Sequence, residues 1–191
     1  MNFTVRRLTA AEAASAIQKL ADILLDVVEG GASVGFMAPL PLPKAESFWR
    51  RVAEGVANGT RALMIAEEVE TGEALGTAQV IWDLPENQPH RADVSKVLVK
   101  RRARGFGVGA ALMRAADQAA RDAGKTLLVL DTASDAAERL YQREGWVRVG
   151  PVPDFALLPD GRLCDTVIYY KRLSPGRAPQ VHSTASMPPS T

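Results

Sequence analysis

The period of the apolar positions switches repeatedly between two and about 3.6 along this chain, and the switches divide it into elements. Residues 3–8 alternate as a short strand. Thr9 and Glu12 have the spacing of a capping box and open a helix predicted to run to about Glu29. Ile17, Leu20, Leu24, Val27 and Val28 form its apolar stripe, and Gly30-Gly31 ends it. Residues 32–42 carry little charge and read as a loop of Gly, Pro, Phe and Met. A second helix is predicted from Pro43 or Lys44 to Ala57. Two strands, 62–67 and 74–83, flank the turn Glu70-Thr71-Gly72-Glu73 as a hairpin. A strand over 91–99 leads into a helix over 107–123. Residues 126–130 are largely apolar, predicting a strand buried on both faces and parallel to the one before it. A short helix over 135–144 follows, with Ser134 as N-cap. Residues 146–149 and 166–171 read as the last strands, with Pro151, Pro153 and Pro159 in the loop between them. The order predicts a mixed α/β domain: one sheet of about seven strands with helices on both faces.

Composition narrows the class. The 191 residues fit one domain over 1–173 followed by a tail over 174–191. The tail holds Pro175, Pro179, Pro188 and Pro189 with several Ser and Thr, a composition expected to stay disordered. A net charge of +1 offers no global attraction to nucleic acid or an acidic membrane surface. No apolar run reaches the ~18 residues of a membrane span, and the N-terminus lacks the apolar core of a secretory signal. Cys164 is the single cysteine, which points to a reducing compartment. The expectation is a cytoplasmic protein with no nucleic-acid, membrane or metal partner. Monomer and homodimer both stay open.

The chemistry concentrates at Arg102-Ala103-Arg104-Gly105-Phe106-Gly107-Val108-Gly109, between the strand over 91–99 and the following helix. Three glycines in five residues let the backbone approach a ligand without Cβ clashes. The helix start then presents unpaired N–H groups, a natural cradle for phosphate or pyrophosphate. Lys100, Arg101, Arg102 and Arg104 add positive charge, although such a turn could also be merely solvated. The same glycines satisfy a dinucleotide fingerprint, with Asp131 ending the next strand. Lys100 to Arg104 separate the strand from the first glycine, about 100 residues of other structure come first, and too little chain follows for a second half-sheet. A redox enzyme is therefore disfavoured.

Arg102, Gly105 and Gly107, with Leu112 and Met113 soon after, resemble motif A of the GNAT acyltransferases. Further segments are similar to the tabtoxin-resistance type of that superfamily. These are Gly30-Gly31-Ala32-Ser33-Val34-Gly35-Phe36-Met37-Ala38, Arg91-Ala92-Asp93-Val94-Ser95-Lys96, Leu130-Asp131-Thr132 and Pro159-Asp160-Gly161-Arg162-Leu163. The likeness covers about 8–173. It implies the GNAT fold, with a mixed, mostly antiparallel sheet, and acetyl-CoA as cofactor. It also implies N-acetyl transfer to the amine of a small molecule, an amino-acid-like toxin or antibiotic among the possibilities.

The resemblance assigns the pyrophosphate to Arg102, Arg104, Gly105, Phe106, Gly107, Val108 and Gly109. It assigns polarisation of the thioester to backbone N–H groups at Val97, Leu98 and Val99, and protonation of the thiolate to Tyr141. Asp93 and Asp131 are the residues expected to bind and deprotonate the amine, through a raised pKa or a water relay. His90 is an alternative base, because an imidazole titrates near neutral pH. Cys164 lacks an activating neighbour in sequence, so direct transfer in a ternary complex is expected over a ping-pong route. Trp49, Phe36, Met37 and Trp82 are candidates to line the acceptor pocket. A non-catalytic acyl-CoA sensor and a protein N-acetyltransferase are the alternatives; the latter predicts a long open groove.

Overall fold

The computed structural model describes residues 1–174. The expected tail, apart from Ser174, lies outside the described residues. β1 (Phe3–Arg7) turns into α1 (Ala10–Ser15) at the predicted capping box. Glu12 N donates to Thr9 Oγ1 at 3.3 Å, and Thr9 N donates to Glu12 Oε2 at 2.8 Å. The single helix expected up to Glu29 is two. Ala16, at φ −89° and ψ 0°, closes α1 and starts α2 (Ile17–Glu29). The Ser15 hydroxyl donates back to Ala11 O at 3.0 Å, a bond that bends helices.

The chain continues through α3 (Leu42–Ala57), β2 (Arg61–Glu68), β3 (Ala74–Ile81), β4 (Arg91–Val99), α4 (Val108–Asp122), β5 (Leu127–Thr132), α5 (Asp135–Arg143), β6 (Val147–Leu157) and β7 (Leu163–Arg172). One sheet takes the order β1-β2-β3-β4-β5-β7-β6. Only β4 and β5 run parallel, as predicted; the other neighbours are antiparallel.

Alternation along β2 shows how the two layers form. Leu63 and Ile65 point to one face and meet Leu20, Ile23, Leu24 and Trp49 of α2 and α3. Met64 and Ala66 point to the other and meet Leu112, Met113 and Ala116 of α4. At roughly 25 cal/mol per Å² of apolar surface, these two faces supply most of the driving force for folding.

Two expectations fail at the far side of the sheet. β6 is much longer than 146–149 and contains Pro151 and Pro153. It is an edge strand, where a proline's missing N–H removes no ladder bond, and it bulges between Arg148 and Gly150 and again between Val152 and Ala156. β5 is not buried on both faces: Leu128 and Leu130 are buried, but Val129 is half-buried and Asp131 exposed. α2 packs on β3 and β4 and α3 on β2, which leaves this face of β5 open.

Gly76 in β3 controls how closely the sheet and α4 approach. A Cβ there would stand 2.7 Å from Leu98 O and 3.0 Å from Leu112 Cδ1. Gly76→Ala is expected to destabilise the fold by about 1–3 kcal/mol through overpacking. The urea midpoint should fall with an unchanged m-value; an unchanged midpoint contradicts this packing.

Candidate active site

β4 is irregular at its centre. Ser95 pairs with Gln79 and Leu98 with Thr77, so Lys96 and Val97 together oppose Ala78. This is a β-bulge, and Lys96 adopts φ 51° within it. The extra residue inverts the alternation. Ala92 and Val94 face α4 before it, whereas Leu98 is buried under α2 after it, and Val97 and Val99 now pack on the α4 side. On its other edge β4 pairs with β5 only from Arg91 to Asp93, opposite Leu127 to Val129. Beyond that point the two strands part.

The gap is the floor of a cleft of about 1010 Å³. Residues 94–99 line one side, and Asp131, Thr132, Ser134, Leu140 and Tyr141 the other. The glycine turn and the loop over 30–35 complete it. Val97, Leu98 and Val99 are among the lining residues.

The turn is shaped by Gly105 at φ 84° and Gly107 at φ 86°, conformations that side chains disfavour. Gly107 is the N-cap of α4 and offers no side-chain bond to its first turn. Val108, Gly109 and Ala110 line the cleft. Among the described residues, no hydrogen bond takes up the N–H of Gly109 or Ala110. These orphan donors, with the positive end of the helix dipole, fit a pyrophosphate.

The arginines behave differently from expectation. Arg102 does not line the cleft: its Nη2 lies 2.6 Å from Glu73 Oε2 and 3.7 Å from Glu68 Oε2. Those carboxylates sit beside it at the β2–β3 turn, and Arg102 and Lys100 hold the Glu73 carboxyl below its ordinary range. Arg101 is held by Asp26 at 2.9 Å and Glu29 at 2.6 Å. Phe106 is exposed and also stands outside the lining. Arg104 lines the cleft, with Nε donating to Val99 O at 3.4 Å.

Tyr141 is only 5% exposed, packed by Trp146 and Tyr169 at centroid distances of 6.1 and 5.9 Å. Burial first, and the charge of Asp131 second, push its phenol well above the ordinary tyrosine pKa. Asp131 lines the cleft and accepts from Thr166 Oγ1 at 2.7 Å. Asp93 shares the open face of the sheet, since its register partner is Val129, two residues before Asp131. It is paired with Arg91 at 3.0 Å and is not part of the lining. Burial raises its carboxyl pKa most, Arg91 opposes that, and Asp131 adds to it.

His90 precedes β4 and lies outside the lining, its carbonyl accepting from Thr126 and Leu127. Among the aromatic candidates, Trp49 is fully buried in the core, and Trp82 donates to Gly59 O at 2.7 Å, away from the cleft. Phe36 packs edge-on against Phe48 at 5.3 Å, and Met37 is exposed. Lys96 is the residue that the sequence reading left without a role. Two successive polar residues, Ser95 and Lys96, break the alternation of the strand and are its signal. Here it is half-buried in the cleft wall, and burial lowers its ammonium pKa against the opposing influence of Asp131.

The loop over 30–41 is tied across to the β6–β7 hairpin. Ser33 Oγ donates to Leu157 O at 3.0 Å, and Ala38 N donates to Pro159 O at 3.0 Å. Among the described residues, Cys164 Sγ donates to Ser33 Oγ, at 3.6 Å.

Comparison with known proteins agrees with this geometry. The model of the acetyltransferase (GNAT) family matches residues 34–146. The fold is similar to that of the YncA acetyltransferase of Salmonella typhimurium, solved with its cofactor acetyl-CoA, at 21% identity and a TM-score of 0.73 over 95% of this chain and 99% of that one. A phosphinothricin acetyltransferase from Sinorhizobium meliloti, in complex with acetyl-CoA, matches at 21% identity and 0.73 over 99% and 94%. A ribosomal-protein-alanine N-acetyltransferase from Brucella melitensis matches at 24% identity and 0.71 over 89% and 99%.

Acetyl-CoA is expected to raise the melting temperature of the chain by binding the folded state. Gly107→Val forces a β-branched residue to positive φ and should weaken acetyl-CoA about tenfold, or ~1.4 kcal/mol. Arg102→Ala should keep most of the thermal shift, because its charge is already engaged by Glu73. The reverse ranking in a thermal-shift titration contradicts a cradle made of main-chain amides.

Proposed function

The chain belongs to the acetyltransferase (GNAT) family and is an acetyl-CoA-dependent acetyltransferase, and from that premise we propose that it acetylates the amine of a small, amino-acid-like molecule by direct transfer in a ternary complex. The observation that carries this reading is the convergence of four parts on one cleft: orphan amides, a bulged strand edge, Tyr141 and Asp131.

The first turn of α4 and the glycine turn hold the pyrophosphate through main-chain N–H groups, with Arg104 beside them. Acetyl-CoA bound there supplies an activated thioester. β4 has left β5 at Val97, Leu98 and Val99, and the N–H groups there that turn to the vacated edge are the donors for its carbonyl oxygen. Leu98 N–H is not one of them, since it shares the β3-facing edge with Lys100 N, which donates to Leu75 O. Asp131 receives the acceptor's ammonium and passes its proton to water. Asp93, whose carboxyl is pushed up by burial, is the second carboxylate on that face. Tyr141 Oη keeps its proton and donates it to the departing sulfur.

The roof over the acceptor side favours a small molecule. A protein substrate needs a long open groove, and the bonds from Ser33 and Ala38 to the β6–β7 hairpin bridge that path. The tabtoxin-type segments and the relative named for phosphinothricin favour an amino-acid-like toxin or antibiotic. Among the described residues the Cys164 thiol is hydrogen-bonded to the Ser33 hydroxyl and not to a base, which favours direct transfer over an acyl-enzyme.

Thiol release with a panel of amino acids, phosphinothricin, polyamines and aminoglycosides tests the activity. Tyr141→Phe should lower kcat by about 10²-fold or more while the acetyl-CoA thermal shift persists. Release that never exceeds the enzyme-free rate, with acetyl-CoA still bound, supports the sensor reading instead. The raised Tyr141 pKa also sets the sign of the pH dependence. An acid with a raised pKa stays protonated to higher pH, so kcat should not fall below about pH 10. A basic limb near pH 8 in kcat, retained in Tyr141→Phe, assigns the proton to another group.

A further inference from the structure

Lys96 occupies a position that local chemistry does not explain. It is a non-glycine residue at φ 51°, a conformation uncommon for a long side chain. The bulge that imposes this angle also takes Lys96 out of the strand's alternation and into the cleft wall. The side chain is half-buried. Among the described residues it forms no ion pair and no hydrogen bond. Its Nζ stands 5.7 Å above the Phe48 ring, and a Cβ on Gly35 would lie 3.8 Å from it. An aromatic face and a glycine backbone thus flank the ammonium.

An ammonium without a counter-ion loses hydration on burial and recovers little from one cation–π contact. The direction of its pKa shows that cost: burial pulls it down, and the charge of Asp131 only opposes. Asp131 is itself engaged by Thr166. Asp93 is paired with Arg91, and Asp165 accepts from Asp154 N at 3.0 Å, so Asp131 and Lys96 are left as a carboxylate and a cation in the cleft wall that do not pair with each other.

We propose that Lys96 is the anchor for an anionic group on the acceptor, so that the substrate is a zwitterion carrying a carboxylate or phosphinate near its amine. Asp131 takes the ammonium and Lys96 the anion. Together they select against polyamines and aminoglycosides, whose additional positive charges Lys96 repels. Gly35 leaves the anion room beside Nζ, and the roof from Ser33 to Leu157 keeps bulk water from replacing the pair. The inference rests on the small-amine reading above and narrows it to a substrate class.

The test compares α-amino acids and phosphinothricin with their carboxamides, each as acceptor in a thiol-release assay with the full chain and acetyl-CoA. The expected result is at least about a tenfold preference in kcat/KM for acid over amide, as suits a charge-assisted contact. Lys96→Asn, chosen because asparagine tolerates positive φ, should bring that ratio to within about threefold of one, chiefly through KM. Lys96→Arg should restore part of the preference. The acetyl-CoA thermal shift verifies that each variant is folded. A preference that survives in Lys96→Asn overturns the inference, as does an equal or better rate with amides. Turnover of polyamines or aminoglycosides without turnover of acids overturns it, and with it the amino-acid-like part of the reading above, while sparing acetyl transfer to a small amine. Turnover confined to protein N-termini removes that reading and the inference together.

Discussion

The separation of β4 from β5 beyond Asp93 and Val129 is the constraint from which the rest of the site follows. Parallel strands that part leave backbone groups without ladder partners, and each buried unpaired group costs about 1–3 kcal/mol unless something else satisfies it. The bulge at Lys96 and Val97 keeps β4 bound to β3 while it leaves β5. It also inverts the strand's alternation, so that Leu98 anchors one layer and Val99 the other. Helix α4 then begins beside the opening, with its first amides free. A binding cleft, its donors and its wall are thus consequences of one irregular strand in a regular sheet.

Electrostatics divides the cleft into two ends. At the end formed by the glycine turn, positive potential comes chiefly from oriented amides, because Arg101 and Arg102 are consumed by carboxylates of α2 and the β2–β3 turn. Those pairs fasten the turn to its neighbours. They give modest stability, as exposed pairs do, and the shape of the turn itself comes from Gly105 and Gly107. At the acceptor end the charges belong to side chains. Asp131 and Asp93 lie on the open face of the sheet and Lys96 stands in the cleft wall against Phe48 of α3; the charge of Asp131 adds to the rise at Asp93 and opposes the fall at Lys96.

Much of this was legible in the residues. The capping box at Thr9 and Glu12, the hairpin around Gly72 and the seven-strand order follow local rules that the tertiary structure keeps. Gly105 and Gly107 announced positive φ, and the apolar run after Lys125 announced β5. Prolines misled at β6, because a sequence does not reveal which strand lies at an edge. The split at Ala16 depends on a hydroxyl choosing a carbonyl one turn back, and helical periodicity continues across it. The site was half visible for a physical reason. Glycines and strand ends act through the backbone, so they can be read locally. The partners of Arg102 lie about 30 residues away in sequence, and the burial of Lys96 depends on α3 and on the loop that holds Gly35. Neither was available before the chain was folded.

A crystal structure of the chain with acetyl-CoA bound tests the central claim most directly. The account predicts pyrophosphate on the N–H groups of residues 105–110, the acetyl carbonyl at the gap beside Val97, Leu98 and Val99, and Tyr141 Oη facing the sulfur. Phosphates held instead by the Arg101 and Arg102 side chains, or a thioester placed away from Tyr141 and Asp131, would contradict it.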